Sequence, residues 1–169
     1  MTEEIYPMPS FPTLIVKDVE ASSNFYQNAL EFKHIFTMPG PDGKPSLVHL
    51  RWVKYADLLI TKPRDGKELT EPKGVGISLN FNMLEHFDGD MDAFAKHARE
   101  HGTNVIGPVD QPWNVREVTV FDPDGYRLLF TMPLNINLGF DEVIKRVQNQ
   151  ESKWNKFSKR FEKQTASII

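Results

Sequence analysis

The stretch FDPDGYRLLFTMP, Phe121 to Pro133, decides how this chain is read. It has the pattern of strand, tight turn and strand, with the proline and glycine of DPDG suited to the backbone angles of a β-turn. Its second half has a counterpart 70 residues earlier: YRLLFTMP (Tyr126–Pro133) lies over ADLLITKP (Ala56–Pro63), both reading Leu-Leu-Ile/Phe-Thr-x-Pro. The alignment runs back without a gap, HLRWVKY (from His49) lying over TVFDPDG (from Thr119). Two such hairpins at one offset predict a duplicated unit.

Working outward, each hairpin completes a larger pattern. In the first unit PTLIV (Pro12–Val16) is a short β-rich run. Asp18 follows as a helix N-cap, and Phe25, Tyr26, Ala29 and Leu30 share one helical face. KHIFTM is then a strand, PGPDGKP a loop, and SLVHLRWV with DLLIT a hairpin. The second unit repeats strand, helix and three strands: GVGISLNF, a helix from about Asp90 to His101 closed by Gly102, NVIG, REVTVF and RLLFT. Module one spans about residues 9–62 and module two about 74–133, with a linker at 63–73 rich in proline and glycine. Residues 1–138 read as one domain, and 139–169 as a helical extension.

Composition bounds the function. A chain of 169 residues with 40% hydrophobic and 25% charged residues is long enough for one sizeable core. No apolar run approaches the roughly 20 residues of a membrane span, and the start lacks the basic-then-apolar pattern of a signal peptide. The absence of cysteine removes disulfides, thiolate catalysis and thiolate zinc sites. The expectation is a cytoplasmic protein. The net charge of −3 divides into +3 from Gly139 onward and −6 before it, which does not suit a nucleic-acid binder.

The paired βαβββ modules resemble the glyoxalase/bleomycin-resistance/dioxygenase superfamily, the vicinal oxygen chelate proteins. PWNVREVTVFDPDGYRLLF (Pro112–Phe130) is similar to the second-module signature of bleomycin-resistance-type members. The chain departs from the family where glycine is usual, at Asn114 and at Glu31 after the first helix. The resemblance covers roughly residues 9–133. It implies an α+β fold, a curved mixed sheet enclosing a cleft, and a homodimer.

Metal-dependent members use four His, Gln or Glu ligands, one early on the first strand and one on the last strand of each module. The corresponding positions here are Phe11, Leu59, Val75 to Ile77, and Leu129, none with a donor for a divalent ion. The resemblance therefore implies no metal and no other cofactor, with the two leucines as an apolar floor. His97 and His101 match H-x-x-E-H, but basic groups in a last helical turn complement the helix dipole without any metal. No nucleophile elbow or phosphate loop is present.

The candidate ligand-binding residues are Trp113, Glu117, Leu129, Leu59, His49, Arg51, Thr119 and Arg127, with no catalytic residue assigned. Trp113 reads as a stacking wall for a planar ligand or as a core or dimer residue. Glu117 reads as a counter-charge or base; alternatively its neighbour Arg116 neutralises it, or both are solvated. His49 faces the cleft or is a satisfied sheet histidine. Arg51, Asp57, Thr61, Arg127 and Thr131 share the leucines' face by alternation. Trp52, near the first hairpin's tip, reads as exposed or interfacial.

In the tail Phe140, Val143, Val147, Gln150, Trp154, Phe157 and Phe161 form the seam of an amphipathic helix. It is expected to dock on its own sheet, a partner subunit or, least of all, a membrane surface. The reading is metal-independent sequestration of a small aromatic, amphipathic or cationic molecule, without nucleic-acid or membrane partners. Its rivals are a superfamily enzyme of lyase, isomerase or dioxygenase type, and an interaction module using the tail.

Overall fold

A computed structural model of the chain describes residues 7–64, 73–83 and 86–148. Module one comprises β1 (Thr13–Ile15), α1 (Val19–Leu30), β2 (Lys33–Pro39), β3 (Pro45–Arg51) and β4 (Asp57–Thr61). Module two comprises β5 (Ser78–Asn82), α2 (Met91–Glu100), β6 (Asn104–Gln111), β7 (Val115–Phe121) and β8 (Arg127–Pro133), and α3 (Phe140–Gln148) follows. Each module forms a mixed four-stranded sheet, in the orders β1-β4-β3-β2 and β5-β8-β7-β6. The first strand of each pairs parallel with the last, and the remaining pairs are antiparallel. This is the α+β pair of βαβββ modules expected from the repeat.

The helices begin where the sequence signals them. Asp18 caps α1 through the Ala21 amide, and Asp90 caps α2 through Asp92 and Ala93. The inward faces of the helices, Tyr26, Ala29 and Leu30 on α1 and Phe94, Ala95 and Ala98 on α2, are buried. Alternation sends Val48, Leu50, Leu58 and Ile60 from one sheet, and Val118, Val120, Leu128 and Phe130 from the other, into the same core. Thr61 and Thr131 alternate outward on the opposite faces.

The expected first strand of module two is shorter than its apolar run: residues 73–76 turn, and β5 begins only at Ser78. In contrast NVIG is the start of a strand that continues to Gln111, bulged between Ile106 and Val109. Both family glycine positions are left-handed, Glu31 at φ 60° and Asn114 at φ 70°. Asparagine tolerates that region, whereas glutamate is strained there.

Trp52 departs from expectation. It is 3% exposed, donates its indole N–H to the Asn82 carbonyl at 2.7 Å, and stacks on His86 at 3.6 Å. Trp52, at the base of the β3–β4 turn, packs against module two, while Tyr55 at the tip is 60% exposed. A second junction is polar. Tyr26 donates to Asp122 at 2.9 Å, and Asp124 accepts from the Lys17 amide at 2.9 Å and pairs with Lys73. Asp122 and Asp124 thus join the DPDG turn to the other module. Burial pushes the Asp122 carboxyl up to about 6, against the hydrogen bonds from Tyr126 and Tyr26.

The tail helix begins at Phe140 as read. Phe140 is 76% exposed, while Val143 and Val147 are half-buried. Gln150, Trp154, Phe157 and Phe161 lie outside the described residues.

Candidate functional site

The candidate site occupies the sheet faces turned away from the helices. Strand register reproduces the repeat: His49 pairs with Leu59 as Thr119 pairs with Leu129, and Arg51 pairs with Asp57 as Phe121 pairs with Arg127. Leu59, His49 and Arg51 therefore share one face of the first sheet, and Leu129, Thr119, Glu117 and Arg127 one face of the second. The first-strand neighbours of the leucines are Thr13 and Asn80, since Phe11 and the segment Val75 to Ile77 lie before the strands begin.

Glu117 is 8% exposed and accepts from Gln111 at 3.4 Å. Burial raises its carboxyl above the usual range, opposed by the charge of Arg127 and the Gln111 hydrogen bond. Arg116 does not neutralise it, because Arg116 alternates to the other face and binds Asp110 and Asp92 at 2.9 and 2.8 Å. Both alternatives are thereby corrected: Glu117 is not paired with Arg116, and it is buried rather than solvated. Burial in turn lowers the Arg127 guanidinium, with Glu117 acting against that fall.

On the first sheet, Asp57 accepts from both Nε and Nη2 of Arg51 at 2.7 Å, and His49 Nε2 lies 2.7 Å from its second oxygen. Sequence alternation placed Asp57, Arg51 and His49 on one face but did not show the contact between His49 and Asp57. Trp113 is half-buried in the turn between β6 and β7, beyond the paired residues Gln111 and Val115. It stands at the end of the second sheet rather than among the face residues.

Register replaces the expected first-strand positions, Phe11 and the segment Val75 to Ile77, by Thr13 and Asn80, so the four places hold two leucines, a neutral hydroxyl and a neutral amide, which is not a fitting donor set for the superfamily's metal. Among the described residues no three His, Asp or Glu side chains gather as a metal-binding group. His97 Nε2 lies 2.9 Å from the Asn28 carbonyl, and His101 Nδ1 lies 2.9 Å from the His97 carbonyl. A carbonyl only accepts, so each of these ring nitrogens is the donor. No helix among the described residues is long and apolar enough to cross a membrane.

Comparison with known proteins agrees with this architecture. An uncharacterised protein of Mycobacterium bovis is 27% identical over 143 residues, covering 82% of this chain and 91% of that protein. The antibiotic binding protein TnmS3 from Streptomyces sp. CB03234 superposes with a TM-score of 0.55 at 24% identity, over 78% of this chain and 98% of that one. The lactoylglutathione lyase of Agrobacterium tumefaciens gives a TM-score of 0.53 at 16% identity, over 74% and 93% of the two chains. At these identities the solved structures share the fold and nothing finer. The model of the Glyoxalase/Bleomycin resistance protein/Dioxygenase superfamily matches residues 10–130, and the chain belongs to that family.

Proposed function

We propose that this protein binds and sequesters a small aromatic or amphipathic molecule on the paired sheet faces, without a metal, in the manner of bleomycin-resistance-type members. The carrying observation is the matched pair Leu59 and Leu129, apolar at equivalent places in the two modules. Apolar floors with a few convergent polar groups are the ordinary composition of small-molecule sites. Glu117 already faces the charge of Arg127, which favours an aromatic ligand over a simple cation. Trp113 enters this reading as a rim contact, and Thr119, Arg51 and His49 as polar neighbours.

The reading includes a homodimer and a cytoplasmic location. Exposed Ile15 and Met38 on the first module support a dimer, since apolar groups of that size gain by burial. The name of the TnmS3 neighbour, an antibiotic binding protein, suggests the class of ligand to screen.

A thermal-shift screen of aromatic compounds tests the function. A ligand at 100 times its dissociation constant adds about 2.7 kcal/mol of stability. The expected hit binds equally in chelator, and Leu129→Glu weakens it by tenfold or more. Turnover of a glyoxalase or dioxygenase substrate restored by added metal would favour the enzymatic alternative instead.

A further inference from the structure

The set Arg51, Asp57 and His49 has a consequence for which ligand the first sheet accepts. Asp57 is 1% exposed at its side chain, and His49 13%. Burial alone would raise the Asp57 carboxyl, but the hydrogen bonds from Arg51 and His49 and the charge of Arg51 outweigh it and hold the group below its ordinary value. A carboxylate kept ionised by a two-point guanidinium contact only accepts hydrogen bonds. His49 Nε2 must therefore carry the proton it shares with Asp57, and in the neutral ring Nδ1 keeps its lone pair. Among the described residues, the Asp57 contact is the one hydrogen bond to the His49 ring. The register sets His49 between Phe36 on β2 and Leu59 on β4, so an aromatic ring and a leucine flank the imidazole.

We propose that His49 is a specificity-determining acceptor for an aromatic hydroxyl, its tautomer fixed by Asp57, with Phe36 and Leu59 holding the ring that bears the hydroxyl. This rests on the ligand-binding reading above and names the ligand class. His49 would touch the ligand, whereas Asp57 and Arg51 are positioning residues that act through it. No bond is made or broken: the ligand O–H donates to Nδ1, and the proton on Nε2 stays with the Asp57 contact.

The test uses beta-naphthol, which keeps its proton at neutral pH, and its methyl ether, which has none to donate. Each is titrated by calorimetry into the full-length protein. A hydrogen bond from a neutral donor is worth about 1 kcal/mol, so wild type is expected to prefer the naphthol by about fivefold to tenfold. His49→Phe should bring the ratio of the two affinities to about one. Asp57→Ala removes the acceptor that holds the ring proton on Nε2, leaves the ring free to carry it on Nδ1, and should reduce the preference. A purely structural role for Asp57 would weaken both probes alike and leave their ratio unchanged. Thermal melts establish that each variant is folded, and His49→Leu replaces His49→Phe if the latter is not.

Retention of the naphthol preference in His49→Phe, or equal binding of the two probes by wild type, overturns the assignment of His49 while leaving ligand binding intact. Failure of both probes to bind wild type overturns the proposal together with the aromatic-ligand reading beneath it.

Discussion

Replacing Asp122 by asparagine isolates the charge that the fold buries between its modules. Asp122 is 5% exposed, accepts the amides of Asp124 and Tyr126 on one oxygen at 3.0 and 2.8 Å, and takes the Tyr26 hydroxyl on the other. Its carboxyl rises from 3.8 to about 6, chiefly because burial penalises the charged form. Because the folded state holds this proton more tightly than the unfolded state, stability falls as pH rises from about 4 to 6. At 1.36 kcal/mol per pH unit, the cost above pH 6 is about 3 kcal/mol. Asparagine keeps one acceptor for the two amides and removes the charge, but disturbs the Tyr26 hydrogen bond at about 0.5–1.5 kcal/mol. That loss is independent of pH. Relative to wild type, Asp122→Asn should therefore be slightly less stable at pH 4 and about 1.5–2.5 kcal/mol more stable at pH 7 to 8. Urea unfolding of both proteins across this range measures the difference, and the shared titrations of Glu117 and Asp57 largely cancel. A difference that does not change with pH would refute the buried-charge account.

Other changes probe the rest of the fold. Trp52→Ala should cost about 3–5 kcal/mol, since it removes a buried indole from the module junction, and chemical denaturation reads it directly. Glu31→Gly should raise stability by up to about 1 kcal/mol by relieving the left-handed backbone at the end of α1, and a melt that falls would show that the glutamate side chain matters more. Truncation after Pro133 removes α3 together with the Leu134 amide bond to the Asn114 carbonyl and the Asn114 side-chain bond to Asn135. It should lower the melting temperature or the sedimentation coefficient per chain, and no change in either would make the tail dispensable.

The repeat was legible because hydrophobic alternation and turn chemistry are local. Leu59 and Leu129 needed only the offset to be placed, and register kept it intact through both hairpins. Asp18 and Asp90 were legible as caps for the same reason. Trp52 was misread because its burial depends on module two, which brings Asn82 and His86 from 30 and 34 residues away. Asp122 and Asp124 looked like ordinary turn residues, and their partners Tyr26, Lys17 and Lys73 arrive from up to 107 residues away in sequence. Glu117 stood beside Arg116 in the sequence, but adjacent strand residues face opposite ways, and this sends Arg116 to Asp92 and Asp110. The His49–Asp57 contact needed two strands aligned to within one residue, which periodicity alone does not supply.

Metal-independent binding is tested most directly by one titration. The methyl ether of beta-naphthol is titrated into wild-type protein, once after exhaustive chelation and once with added zinc, nickel or iron. The account predicts the same dissociation constant under every condition, because Leu59 and Leu129 offer the ligand surface and not a metal site. Binding that disappears on chelation and returns with a single metal would contradict it.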